Sequence, residues 1–381
     1  MEVGQGALED LGEALMFGNV YAGKRVLVTG HTGFKGSWLG TWLRELGADV
    51  AGYALDPPSS PSMFEVCGLE SRIRHYHGDV RDLASLRKAF LDFQPEIVFH
   101  LAAQALVRSA YQDPVHTFST NLMGTLHVLE CLRTVPGTRA AVIITSDKCY
   151  RNVEWTWGYR ECDLLGGEDP YSGSKGGAEL IAYSYFHSFF AQPGMARVAT
   201  ARAGNVIGGG DWARDRIVPD CVRAWSQGDP VVIRSPGATR PWQHVLEPLS
   251  GYLLLASELW SGNAVPNLSS YNFGPDASVN QPVLELIARF SRHWDRAGCT
   301  VDSAGQANRP EATLLKLCCD KALADLRWGA TLSFDETVRL TSLWYKEYYS
   351  GSGTDMQAFS RDQIRVYCDQ ARAKGLPWSQ P

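Results

Sequence analysis

The chain has 381 residues, 45% hydrophobic and 20% charged, with 36 Lys and Arg against 41 Asp and Glu for a net charge of −5. That mild acidity excludes the basic surface of a typical nucleic-acid binder, and no apolar run approaches the roughly 20 residues that span a bilayer. Residues 1–24 carry four acids and one Lys, unlike a secretory signal, and nine cysteines without CxxC pairs suit neither a disulfide framework nor a zinc site. The expectation is a cytoplasmic protein that holds no metal.

In chain order, Arg25–Thr29 reads as a β-branched strand running into the glycine-rich turn TGHTGFKG (29–36). Trp38, Leu39, Trp42, Leu43 and Leu46 then recur at helical spacing, and Gly47 stops the helix. Extended runs follow at Asp49–Tyr53 and Arg74–Asp79, then a helix at Leu83–Phe93 and an almost uniformly apolar strand at Glu96–Leu101. A long helix runs through Phe118, Leu122, Leu126, Leu129 and Leu132 to a strand at Ala140–Ser146. Strict alternation implies right-handed crossovers and an α/β fold, a doubly wound parallel sheet of the Rossmann type.

Beyond about residue 205 prolines and tryptophans thicken and the alternation breaks down. This predicts a second, smaller α+β substrate-binding domain over the carboxyl ends of the strands. The expected layout is an N-terminal extension at 1–22, a dinucleotide-binding domain at 23–204 and a nucleotide-sugar domain at 205–349. The chain is expected to return to the first domain near 240–260, and 350–381 to form a tail in which a flexible SGSG stretch precedes a short helix.

Three glycines at G-x-x-G-x-x-G spacing, between a strand and a helix, predict dinucleotide binding. Gly30 allows the tight turn, Gly33 admits the main chain to a pyrophosphate, and Gly36 lets helix and strand pack closely. Asp56, 26 residues beyond Gly30, either accepts from the adenosine ribose, favouring NAD, or is an ordinary loop carboxylate. Asp79 either reaches the adenine amino group or caps a turn. Tyr171 and Lys175 stand at i and i+4 in YSGSK, where an ammonium one turn away stabilises a phenolate base. His75, His77, His187 and His293 lack ligand spacing and read as structural or surface residues. Trp155, Trp157, Trp212 and Trp225 read as core or interface.

TGHTGFKG, HLAAQ (100–104), Asn121 and YSGSK together resemble the extended short-chain dehydrogenase/reductase family of nucleotide-sugar enzymes, over about Gly23 to Tyr349. The runs TSDKCY (145–150), WGYRE (157–161), RAGNVIGGGDWARDR (202–216) and RPWQHVLEPLSGY (240–252) resemble its 4,6-dehydratase branch. That resemblance implies CDP-D-glucose as substrate, oxidised at C4, dehydrated across C5–C6 and reduced at C6 by the returning hydride. It places Thr32, Phe34, Lys35, Val80, Leu101, Ala102 and Ala103 beside NAD with the turn glycines, Tyr171 and Lys175. Tyr171 becomes the base at the C4 hydroxyl and Ser146 a hydrogen-bonding neighbour of the same oxygen. Asp147 becomes the acid at C6 and Lys148 the base at C5, where the related thymidine-diphosphate enzymes carry Asp-Glu.

Asn205, after the sixth strand, resembles the family's diphosphate- or sugar-contacting asparagine. Gln104 and Arg108, after the fourth strand, are expected to face the mouth of the same substrate site. Arg216, Arg240 and Arg309 either hold the pyrophosphate or form structural ion pairs. Two departures stand out: residues 1–20 have no family counterpart, and Cys318 replaces an expected acid. A C4 epimerase is the nearest alternative. A non-catalytic NAD-binding regulator is disfavoured by the intact Tyr171, Lys175, Asp147 and Lys148. The helices at 113–134 and 171–190 resemble the pair through which the family dimerises, so a homodimer or homotetramer is expected.

Overall fold

The computed structural model describes residues 16–233, 235–262, 267–276, 278–294, 297–301 and 314–380. Its centre is a seven-stranded sheet of β1 (Arg25–Thr29), β2 (Asp49–Ala54), β3 (Arg74–His77), β4 (Ile97–His100), β5 (Ala140–Ile144), β6 (Arg197–Arg202) and β7 (Ser270–Asn272). The strand order is β7-β6-β5-β4-β1-β2-β3 and every pairing is parallel. β4 and β5 are buried along their whole length. Helices cover both faces, so side chains alternate between two cores: Val26 and Val28 join one and Leu27 the other.

α1 (Phe34–Glu45) follows the glycine turn, and α2 (Leu83–Phe93) begins where the Asp82 carboxylate accepts from the amides of Ala84 and Ser85. The helix expected through 118–132 is broken. Pro114–Phe118 leads into a π turn at Ser119–Met123 before α3 (Gly124–Thr134). The π turn carries Asn121 inward, where its amide donates to Gln104 O at 3.0 Å and Ser174 Oγ at 2.8 Å. α4 (Pro170–Tyr185) is capped by Asp169, which accepts from Ser172 N at 2.9 Å.

The irregular part holds α5 (Ile217–Ser226), α6 (Leu246–Ser261), α7 (Val283–Ser291), α8 (Phe334–Tyr349) and α9 (Met356–Ala373). α6 packs on β5 and β6, and β7 extends the sheet beside β6, so the chain's return to the sheet spans 246–272. Trp212 and Trp225 are buried as expected, whereas Trp157 is 71% exposed.

The segments outside the recognised fold pack into it. Phe17 stacks on Trp378 at 5.0 Å, Trp42 of α1 meets the same indole at 6.1 Å, and Tyr21 donates to Leu253 O at 2.5 Å. The helix after SGSG is 18 residues long, not short, because Ile364, Tyr367, Cys368 and Ala371 form a stripe at i, i+3, i+4, i+7 that is buried against the core. Glu247 of α6 ties this layer inward, accepting from the amides of Thr331 and Leu332 and from Tyr367 Oη, and its burial pushes the carboxyl up to about 7.

Candidate active site

The phosphate turn is a cradle that excludes side chains. Gly30 has φ +75°; a Cβ there would lie 2.7 Å from Ala102 N, and one on Gly36 2.2 Å from Gly30 O. Gly33 caps α1 with no side-chain hydrogen bond, so the first amides of the helix face outward without a side-chain partner. Thr29 Oγ1 shares a 2.7 Å hydrogen bond with His100 Nδ1 and accepts from Ala102 N, which draws the β4 loop carrying Leu101, Ala102 and Ala103 over the turn. Such a cradle fits a dinucleotide pyrophosphate.

The remaining cofactor candidates lie around it in different states. Thr32 Oγ1 donates to Leu55 O at 2.9 Å, fastening the turn to the end of β2. Phe34 is half-buried beside Gly208, and Val80 is buried where its methyl leaves no room for a side chain on Gly124. Asp56 is exposed and lies 3.3 Å from His77 Nε2. Asp79 is engaged by the side chain and amide of Arg81, which hold its carboxyl below the usual range. Arg81 was no part of the expected site.

At the end of β5 the chain turns through Ser146, Asp147 and Lys148. Ser146 Oγ donates to Asp147 Oδ1 at 2.9 Å and accepts from Lys148 N at 3.2 Å. Asn205, in the left-handed region at φ +53°, donates from Nδ2 to Asp147 Oδ2 at 3.2 Å. Gly204 lies so close beneath that a Cβ would meet Asp147 Oδ2 at 1.9 Å, so the carboxylate is wedged against bare backbone. Ser146 also faces the Tyr171 phenol on α4. The structure thus brings Ser146, Asp147, Tyr171 and Asn205 together, with Lys148 half-buried beside them.

Burial pushes Tyr171 up to about 12; Ser146 acts against this, Asp147 adds to it, and Arg216 lowers it as a nearby cation. Lys175 is held down to about 8 by burial, with Cys149 and Glu179 acting the other way. Behind it lies a buried ion pair, Arg202 Nη2 to Glu179 Oε2 at 2.7 Å, whose carboxylate also accepts from Thr145 and Thr200. Thr145 immediately precedes Ser146, so this pair anchors the Ser146–Lys148 turn and α4 to each other. A Glu one helical turn beyond Lys175 is the sequence signal for that anchor, and it was missed.

Lys35 was expected only as part of the phosphate turn. Its ammonium is held down to about 8 by burial and Arg216, with Asp147 acting in the opposite direction, so it lies within reach of the Asp147 charge.

The expected sugar-nucleotide residues divide. Arg216 is bound to Asp211 at 2.8 Å and acts on Tyr171. Arg108 pairs with Asp215 at 2.8 Å near the surface. Arg240 Nη1 donates to Thr239 O at 2.8 Å. Gln104 spends its side chain on Leu106 O and Leu106 N of its own loop, which has no regular pairing, and on Thr117 Oγ1 of the segment Pro114–Phe118. Arg309 lies outside the described residues.

Comparison with known proteins bears on the fold and the family. The family model described as GDP-mannose 4,6 dehydratase matches residues 27–341. A CDP-glucose 4,6-dehydratase of Salmonella typhimurium (strain LT2) is 48% identical over 355 residues, 92% of this chain and 97% of the relative. A probable dTDP-glucose 4,6-dehydratase of Sinorhizobium fredii is 26% identical over 85% of this chain and 93% of its own length. Among solved structures, UDP-glucose-4-epimerase from Stenotrophomonas maltophila superposes with TM-score 0.74 at 20% identity, over 86% of this chain and 100% of that one. The dTDP-glucose 4,6-dehydratase of Bacillus anthracis, solved with NAD, gives 0.69 at 18% identity over 86% and 98%. At those identities the likeness speaks for the fold alone, whereas the family model matches residues 27–341 and the 48% relative covers 92% of the chain. The chain belongs to the GDP-mannose 4,6 dehydratase family.

Proposed function

We propose that the chain converts CDP-D-glucose to CDP-4-keto-6-deoxy-D-glucose and water, with NAD as its resident cofactor. The observation that carries this reading is the close set of Ser146, Asp147 and Tyr171 in a chain 48% identical to a CDP-glucose 4,6-dehydratase. When bound, NAD supplies the acceptor for the C4 hydride and its later return to C6.

The chain's own groups supply the proton chemistry. Tyr171 takes the proton of the C4 hydroxyl while Ser146 holds the oxygen that becomes a ketone. The ketone acidifies the adjacent C5–H. Lys148 takes that proton as Asp147 gives its own to the C6 hydroxyl; the C6–O bond breaks and water leaves. Lys148 then returns the proton to C5. A C4 epimerase needs neither Asp147 nor Lys148. The guanidinium of Arg216 is the support for holding the sugar nucleotide through its diphosphate.

Incubation with CDP-, dTDP-, UDP- and GDP-glucose tests the reading. The 4-keto-6-deoxy product absorbs in the ultraviolet after alkali, and CDP-glucose is expected to give it fastest, with no net release of reduced nicotinamide. Steady stoichiometric NADH release would mark a simple dehydrogenase, and a C4-inverted sugar an epimerase.

Assembly belongs to the same reading. Val115, Leu180 and Tyr183 are 77%, 60% and 63% exposed, and Phe118 and Met123 lie in the same pair of helical segments, an apolar face for a second copy. Light scattering is expected to give a dimer or tetramer mass; a monomer at micromolar concentration refutes it. No helix among the described residues is long and apolar enough to cross a membrane. The nine cysteines are free thiols, which supports a reducing compartment such as the cytoplasm.

A further inference from the structure

The segment that carries Arg216 takes its shape from α8. Between Ile207 and α5 the chain makes turns but no helix or strand. Gly209 lies against Trp344, where a Cβ would come within 2.0 Å of the indole Cγ. Trp212 meets the rings of Trp344, Tyr345 and Tyr348 at 5.6, 5.9 and 5.0 Å. Amid these contacts the Tyr345 hydroxyl, 0% exposed, takes both backbone groups of Asp211. It accepts from Asp211 N at 3.1 Å and donates to Asp211 O at 2.5 Å. The Asp211 carboxylate in turn accepts from Ala213 N at 3.0 Å and from Arg216 Nη1 at 2.8 Å. A Phe would fill the same space, so packing alone does not call for the hydroxyl. Its two bonds fix where Asp211 stands, and hence where the carboxylate meets the guanidinium.

We propose that Tyr345 is a positioning residue for the substrate's diphosphate: by holding Asp211 it aims the Arg216 guanidinium before the sugar nucleotide arrives. This rests on the reading of Arg216 as the group that holds the diphosphate. The Arg216 side chain is 35% exposed, and Asp211 engages one nitrogen of its fork. The other N–H groups are donors of the kind that take phosphate oxygens in pairs. A long side chain gives up rotamer freedom when it binds, and one already held gives up less. The same segment carries Asn205, whose amide is on Asp147, so a fixed Arg216 also fixes the diphosphate relative to the reacting end of the sugar.

Calorimetric titration of the NAD-loaded enzyme with CDP tests this in a double-mutant cycle. Tyr345→Phe keeps the ring and removes only the hydroxyl; it is expected to weaken CDP binding about 3- to 10-fold, the weight of a neutral hydrogen bond. Arg216→Ala is expected to weaken it about 10- to 100-fold, the weight of a hydrogen bond to a charged group. Tyr345→Phe added to Arg216→Ala is expected to cost nothing more, because the guanidinium it aims is gone. A hydroxyl that serves the fold alone lowers Tm and either leaves CDP affinity unchanged or weakens it equally in both backgrounds; both results overturn the proposal. Where Tyr345→Phe does not fold, Asp211→Glu keeps the charge but moves the carboxylate by one methylene, and is expected to weaken CDP binding only while Arg216 is present. No such loss overturns the proposal equally. The two readings fail separately: if Arg216→Ala leaves CDP binding intact, the diphosphate reading falls and the proposal with it. If Arg216→Ala weakens CDP and Tyr345→Phe does not, the positioning role alone falls.

Discussion

Replacing Tyr171 with Phe is expected to lower kcat by about 10²–10⁴-fold, the usual loss on deleting a general base, while NAD binds with nearly wild-type affinity. The side chain is 8% exposed, so Phe keeps its packing, and the helix start depends on Asp169 rather than on the phenol. The hydroxyl faces Ser146 and lies within reach of the charges of Asp147 and Arg216, so in the proposed mechanism its removal takes away the proton acceptor at C4 and little else. The pH dependence has a definite sign. Burial first, then Asp147, raises this phenol, so its base form grows with pH and the rate climbs with it. The wild-type acidic limb is expected to vanish in the Phe variant. Turnover within about threefold of wild type, under ~1 kcal/mol of barrier, would remove Tyr171 from the mechanism. Calorimetric titration with NAD is the companion measurement.

Asp147→Asn is expected to stop water loss while sparing oxidation at C4. Asn has the same shape, and its carbonyl oxygen still accepts from Ser146 Oγ, but its amide meets the Asn205 Nδ2 donor where a carboxylate oxygen stood. The side chain keeps its shape and loses its acid, and Asn205 turns its amide to present the oxygen to the new donor. Overall turnover should fall by about 10²–10⁴-fold, and borohydride quenching should trap a 4-keto hexose that still carries oxygen at C6. Wild-type rates of 4-keto-6-deoxy product from the variant would rule out the proton-donor role.

Much of this is legible in the sequence, and for local reasons. Leu83–Phe93 was bounded correctly because its capping Asp82 and its stripe of Leu86, Phe90 and Phe93 lie within twelve consecutive residues. The glycine turn and the Tyr171–Lys175 pair were equally readable, since a tight turn and one helical turn are short-range facts. What escaped was set by distant partners. Nothing near Lys35 in sequence announces that its ammonium extends toward Asp147, more than a hundred residues later. Gln104 looked like a substrate ligand because a loop with no regular pairing gives no sign that it will consume a side chain internally. The break at Ser119–Met123 escaped because Gln104 and Ser174, the partners of its Asn121, lie outside that helix.

The stack of Phe17 and Trp42 on Trp378 has a consequence for how the protein is made. α1, which presents the cofactor turn, is among the earliest helices to leave the ribosome, yet the indole that covers Trp42 follows 336 residues later. At about 5–20 residues per second, that is roughly 17–67 s during which a bulky apolar surface waits for its cover. Nascent chains stalled before residue 378 should therefore engage holding chaperones through this patch, and the cofactor turn should reach its final rigidity only near the end of synthesis.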